Sequence, residues 1–264
     1  MSGEPNEGKA LDVDVAGQRV RRIPIKTHVV TTEDDIIDVV TRYASPVIEP
    51  GDLLFVTEKI VAISQGRSYA VDAIEARPLA RWLSRRVTKT SHGIGLGIPE
   101  TMEMALRECG TPRIVFAAGV AAITKAVGRR GDFYRIAGPK ARGIDGPTSG
   151  TIPPYNTQVV LVPEKPRQVA RDLQAALASV AAVDVAVVDI NDFGGNILGS
   201  TLDMAGERRL VSILADNPLG QGHQSTPLGV VRSRRGRVAA RRPRSRSPRG
   251  TPAAGPCARL SQSA

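Results

Sequence analysis

At 264 residues the chain can bury a substantial core, and its formal charge of +10 raises nucleic acid as a partner. That charge is local: Arg232 to Ala264 holds ten arginines and no Lys, Asp or Glu, leaving 26 basic against 26 acidic residues elsewhere. The two cysteines, Cys109 and Cys257, form no Cys-x-x-Cys pattern, no apolar run approaches the ~20 residues that span a bilayer, and the first residues are polar. Composition therefore argues against a disulfide scaffold and a membrane partner, and for a cytoplasmic protein.

In chain order, residues 1–18 read as a flexible lead-in. Val20 to Ile25 is a first strand, near an edge because of Pro24. Thr31 to Asp35 supplies a cap and first-turn acids for a helix carrying Ile36, Ile37, Val39, Val40 and Tyr43, which stops before Pro46. Leu53 to Thr57 is a buried strand. Lys59 and Arg67 then bracket a strand-to-loop transition, where they can hold phosphates or simply be solvated. Pro78 to Val87 predicts a helix with Leu79, Trp82 and Leu83 inward. The glycines of Gly93 to Gly97 lead into a helix with Pro99 in its first turn and Met102 and Leu106 inside. This stretch is a phosphate cradle or a plain loop; it is neither a dinucleotide fingerprint nor a Walker loop.

Further on, Ile114 to Ala118 and Phe133 to Ala137 read as strands, with a hairpin turn at Arg129 to Asp132 before the second. Asp145 lies between Gly143 and Gly146. Val159 to Val162 is a strand, and Pro166 to Ala178 an amphipathic helix with Val169, Leu173, Ala176, Leu177 and Val180 on one face. The β-branched run Val185 to Val188 reads as a strand buried on both faces, ending in Asp189, Asn191 and Asp192 before Gly194 and Gly195. Glu207 to Ala215 is a helix, Leu219 to Pro227 a polar loop, and Leu228 to Val231 a last strand. The Arg- and Pro-rich stretch 233–264 has too few apolar residues for a core and is expected to be disordered. It is an RNA- or membrane-attracted arm or a non-functional extension, and the lack of aromatics to stack on bases favours the latter.

Pattern alone thus gives an α/β protein with Asp145 and Asp189 at loop starts. Two carboxylates from separate loops are the minimum for holding divalent ions on phosphates, and amide oxygens from Asn191 or Gln221 can complete such a shell. Each aspartate can equally be a turn residue. His28, His92 and His223 form no zinc-spaced set, and no cysteine has a histidine nearby in sequence, so nucleophilic catalysis fits less well.

From about Arg21 to Arg232 the chain resembles the gamma-glutamyl ligases of the deazaflavin coenzyme F-420, including their broader bacterial branch. The resemblance rests on Thr57-Glu58-Lys59-Ile60-Val61 with Gln65-Gly66-Arg67, on Gly143-Ile144-Asp145-Gly146-Pro147, on Val187 to Asp192, and on Asn217-Pro218-Leu219-Gly220-Gln221 with Thr226-Pro227. It implies a mixed α/β sheet with flanking helices in two closely joined subdomains, spanning 19–232, and a homodimer. It also implies a ligase that uses GTP and Mg²⁺ or Mn²⁺ to activate a small-molecule carboxylate as an acyl phosphate, which L-glutamate attacks.

On this resemblance Asp145 and Asp189 are catalytic metal ligands, joined by Asn191 and Gln221. Nucleotide contacts fall on His28, Val29, Val30, Thr31, Lys59, Thr148, Gly220, Gln221, Gly222 and Thr226. The chain departs from the better-studied members in having Ile190 after the central aspartate, where they have threonine. It also has Ala62-Ile63 and Gln65 where they carry a Ser-Lys pair and an acid. The alternatives are an amide ligase for another, folate-like acceptor and a non-catalytic nucleotide- or RNA-binding protein.

Overall fold

The computed structural model describes residues 3–87, 94–129, 131–191, 194–220 and 223–233. The expected tail, apart from Ser233, lies outside the described residues, as do His92, Gly93, Asp192, Gln221 and Gly222.

The lead-in is corrected at once: β1 (Asp12–Val15) pairs antiparallel with β2 (Gln18–Ile25). Ala16 and Gly17 between them have φ of 50° and 75°, the left-handed pair that matches a two-residue turn to the twist of its strands. Helix α1 (Ile36–Ala44) starts at Asp35, whose carboxylate accepts from the N–H groups of Ile37 and Asp38. β3 (Leu53–Thr57) passes directly into α2 (Glu58–Ser64), and the turn at residues 65–67 leads into β4 (Ser68–Ala70). Lys59 therefore lies in the first turn of a helix and Arg67 just past its end, in place of the expected strand-to-loop transition.

Next comes a helical lobe of α3 (Pro78–Ser84), α4 (Pro99–Cys109), α5 (Thr111–Ala126), α6 (Asp132–Ala137) and α7 (Pro139–Arg142). The chain then returns through β5 (Gln158–Val160), α8 (Pro166–Leu177), β6 (Asp184–Asn191), β7 (Gly194–Ser200), α9 (Met204–Ile213) and β8 (Leu228–Ser233). Among the described residues the main sheet runs β1-β2-β8-β3-β6-β7; β3 and β6 are parallel, and the other neighbours antiparallel. β4 and β5 form a separate antiparallel pair.

Period-two alternation explains the double burial of the central strands. Val185 and Val187 join Leu54 and Val56 in a core with α1, α2 and α8, whereas Ala186, Val188 and Phe55 face α9. Each of the Val, Leu and Phe side chains among them contributes roughly 1.5–3 kcal/mol when taken from water. The helical lobe has its own core of Leu83, Met102, Leu106, Ile114 and Ala141, closed by Val159 and Leu161. Among the described residues, no helix is long and apolar enough to cross a membrane.

Two expected strands are helices. Ile114 to Ala118 belongs to α5, where only Ile114 and Ala117 are buried, a spacing of three that a strand does not give. Phe133 to Ala137 is α6, bounded by Gly131 at φ 92° and Gly138 at φ 96° and packed on α5. β propensity there yields to packing between helices. Trp82 also faces outward, 53% exposed with the Arg86 guanidinium 3.7 Å over its ring, because α3 turns Ala80 and Leu83 into the lobe. Val180, just past α8, is exposed rather than inward.

Gly229 of β8 lies opposite Phe55, and a Cβ there would stand 2.3 Å from the ring. Gly229→Ala should lower stability by about 1–3 kcal/mol in urea unfolding, the cost of overpacking. Adding Phe55→Leu should recover part of the loss.

Candidate active site

The site begins where β3 ends beside its longer parallel neighbour β6. Thr57 of β3 is in register with Val188 of β6, so Glu58, the first residue of α2, and Asp189, still within β6, come next to each other at the carboxyl edge of β3. That edge is where open α/β sheets receive ligands. The strand continues past Asp189 to Asn191 and then turns back as β7, so the expected abrupt end at Asp189 is replaced by a hairpin. Alternation puts Asp189 and Asn191 on one face and Val188 and Ile190 on the other, where Ile190 packs with the α9 core.

Asp145 comes from a different part of the chain. Its N–H donates to the carbonyl of Val160 at 2.9 Å and its carbonyl accepts from Val160 N–H at 3.0 Å, one extra rung beside β5. This pairing needs the Gly143 to Gly146 stretch to run close to its neighbours. A Cβ on Gly143 would stand 2.4 Å from Val162, and one on Gly146 would meet Thr101 and Ile94. The start of α4 and the described part of the 93–97 loop thus lie against the Asp145 segment.

Lys59 joins these pieces, with its Nζ 2.9 Å from Asp145 Oδ2. Burial, then the Asp189 and Asp145 carboxylates, push the Glu58 carboxyl well above the usual range, and Lys59 offsets only part of this. Burial and then Asp145 also raise Asp189. Three carboxylates and one ammonium therefore share a corner in which Glu58 and Asp189 are the more buried and Asp145 faces solvent. Glu58 is the member that sequence reasoning missed as a site residue: it lies inside the quoted Thr57 to Val61 motif, but its proximity to Asp189 depends on strand register.

The expected nucleotide segments also come together. Thr27 N–H donates to Ser225 O and Ser225 Oγ to Thr27 O, both at 3.0 Å, so the 28–31 and 219–226 segments adjoin. Thr57 N–H donates to Pro227 O at 2.9 Å, fixing the same loop to the end of β3. His223 Nε2 lies 3.4 Å from Ser149 O, beside exposed Thr148. Within the 28–31 segment, the N–H of Thr31 beside Asp34 holds that carboxyl below its usual range, against the effect of burial. His28 is oriented by Asp34 and by the Tyr43 hydroxyl, each 3.0 Å from a ring nitrogen, and Val30 O accepts from Tyr155 Oη at 2.6 Å. Gly220, at φ 72°, ends the described part of this loop before Gln221 and Gly222.

Arg67 does not join the site. Its guanidinium donates to Val162 O, Glu164 and Glu108, and it is 9% exposed, so its role is to tie β4 to the helical lobe and to α8. It borders a cleft of about 540 Å³ at the other end of α2, with Lys165 and Gln168.

Among the described residues no three His, Cys, Asp or Glu side chains converge to hold an ion. The donor chemistry nonetheless suits a hard divalent cation: Asp145, Asp189 and Asn191 offer oxygens, and positive charge is short. Lys59 at present supplies that charge to Asp145.

A raised carboxyl binds more protons folded than unfolded, so its contribution to stability is complete below its ordinary value and is lost as pH rises through the raised one. For Glu58 this window opens above 4.5. Ligand-free Glu58→Gln should therefore melt higher than the parent at neutral pH, with the gap closing as pH falls toward 4.5 in paired thermal scans.

Comparison with known proteins bears on this geometry. The family model described as F420-0:Gamma-glutamyl ligase matches residues 24–201, which include Glu58, Lys59, Asp145 and Asp189. The Coenzyme F420:L-glutamate ligase of Methanopyrus kandleri is 29% identical over 203 residues, covering 75% of this chain and 69% of that relative.

Proposed function

The chain belongs to the F420-0:gamma-glutamyl ligase family, and we propose that it joins L-glutamate by an amide bond to a carboxylate of the deazaflavin coenzyme F-420 precursor, with GTP as co-substrate. The observation that carries this reading is the Glu58, Lys59, Asp145 and Asp189 cluster at the carboxyl edge of β3 and β6. The rim formed by residues 27–31, 57, 149 and 223–227 supports a nucleotide beside it.

A carboxylate cannot be attacked by an amine until its oxygen is made a leaving group. In the proposed reaction the acceptor oxygen takes the γ-phosphoryl group and GDP leaves; the glutamate amine then attacks the acyl carbon, and inorganic phosphate departs. Lys59, released from Asp145, can meet phosphate oxygens as charge moves between them. The glutamate ammonium must shed a proton before its nitrogen can attack, and Glu58, when ionised, is a stronger base for that proton than an ordinary carboxylate. Asp145, Asp189 and Asn191 would hold a Mg²⁺ or Mn²⁺ ion, which supplies charge neutralisation on the phosphates. Gln221 joins this proposed set from outside the described residues.

The departures from the family pattern are compatible with this arrangement. Ile63 is 2% exposed inside the core, and Ile190 packs on the α9 side, away from Asp189. Gln65 holds the chain ahead of α8 by donating to Glu164 O and accepting from Glu164 N–H. The proposal also includes a homodimer in the cytoplasm. The exposed apolar side chains Phe116 and Ile123 of α5 support a covered face, and light scattering should return twice the chain mass.

The decisive assay incubates the protein with unglutamylated coenzyme, L-glutamate, GTP and Mn²⁺ or Mg²⁺, and reads the product by mass spectrometry. A nucleotide-dependent gain of one glutamyl unit is expected. Asp145→Asn and Asp189→Asn should each cut turnover by about 10²-fold or more, the scale of losing a charge-stabilising group. Full activity in both variants would overturn the site. Nucleotide consumption without that product would point to another acceptor, such as a folate-like one.

A further inference from the structure

We infer that Asn6 is a positioning residue for the 216–220 and 223–226 stems of the loop, acting on the proposed nucleotide site from outside the residues that the family model matches. This rests on the reading that the loop receives the nucleotide. The match begins at residue 24 and ends at 201, so both the lead-in and the loop lie beyond it.

The contacts form a staple across the loop's two stems. Asn6 Nδ2 donates to Pro218 O at 3.1 Å and to Thr226 Oγ1 at 2.9 Å, and Thr226 Oγ1 donates to Leu219 O at 3.0 Å. One amide therefore fixes the entry and exit of the loop at once. Next to it, Lys9 Nζ donates to Asp216 O, and Arg22 binds both carboxylate oxygens of Asp216. Arg22 also reaches Ala10 O at 2.6 Å and Ile213 O at 3.0 Å, from a guanidinium side chain only 1% exposed. The lead-in, β2 and the end of α9 are thus joined at one buried cation.

The loop needs such support. Asn217 and Ser225 both sit at φ 51°, a left-handed conformation that costs non-glycine residues energy and persists where surroundings over-determine it. Thr27 and Thr57 hold the site side through Ser225 and Pro227; on the opposite side Asn6 acts with Lys9 and Arg22 at residue 216 and reinforces the Thr226 to Leu219 bond between the stems. The amide is chemically specific. It gives two N–H donors to two oxygens, and a carboxylate of the same shape would set an acceptor against Pro218 O.

The test compares full-length Asn6→Ala, Asn6→Asp and Asn6→Gln with the parent. Amide hydrogen exchange is measured without ligand, and kcat and KM for GTP in the mass-spectrometric assay. Exchange at residues 216–220 and 223–226 should rise about tenfold in the Ala and Asp variants, the loss of one to two hydrogen bonds, while β3 and β6 stay protected. KM for GTP should rise by a similar factor with kcat changed less than about twofold, and Asn6→Gln, which keeps the amide, should recover part of both.

Unchanged loop exchange would overturn the inference. So would a rise spread evenly over the protein, which marks a merely structural role, or faster loop exchange with an unaltered KM. If the parent neither binds nor uses GTP, the nucleotide reading and this role at its site fall together, while the exchange result still decides whether Asn6 holds the loop.

Discussion

The parallel pairing of β3 with β6 is the constraint on which the rest of this protein depends. Both strands are buried on both faces, so their register cannot slip by one residue without moving two sets of apolar side chains from one core to the other. That register brings Thr57 level with Val188 and delivers Glu58 and Asp189 together. β8, antiparallel to β3, holds the 223–227 segment at the same edge, and Asp145 reaches it through its bridge to β5. Core packing and site geometry are therefore one requirement.

The corner so produced is electrostatically unfavourable in the absence of ligand. Glu58 and Asp189 are both pushed toward protonation by burial and by neighbouring carboxylates, with Lys59 as their opposing charge. Such concentration of like charge costs stability and is commonest where a bound cation or a moving proton will use it. Arg232 and Asp52 show the contrast: Asp52, 3% exposed, is chelated by the Arg232 guanidinium and also accepts from Glu49 N–H, so that buried charge is balanced within the chain. One pair is finished as structure, whereas the other cluster is left short of positive charge.

The rim around this corner is assembled from distant stretches. Residues 27–31, 145–149 and 223–227 meet through backbone carbonyls and short polar side chains, and the 216–226 loop is braced on its far side by residues 6–10 and 22. The positions where the chain departs from its better-studied family members read differently once placed. Ile63 and Ile190 fill apolar space, and Gln65 makes a backbone-like pair with Glu164. Those changes lie in the frame of the site rather than among its charged groups.

The sequence by itself determined the central strands, α1, α4 and α8, because burial on both faces and the helical repeat leave direct marks on residue order. It also singled out Asp145 and Asp189, since an acid at a strand end or between glycines stands out without coordinates. It misread α5 and α6 as strands, because Ile114, Val115 and Phe133 favour a strand locally and only packing against other helices decides otherwise. It left Glu58 out of the site and took residues 1–18 as loose, for a shared reason. The meeting of Glu58 with Asp189, and of Asn6 with Pro218 and Thr226, joins residues far apart in the chain. Tertiary structure alone decided those contacts, because strand register and loop closure set them and neither has a local signature.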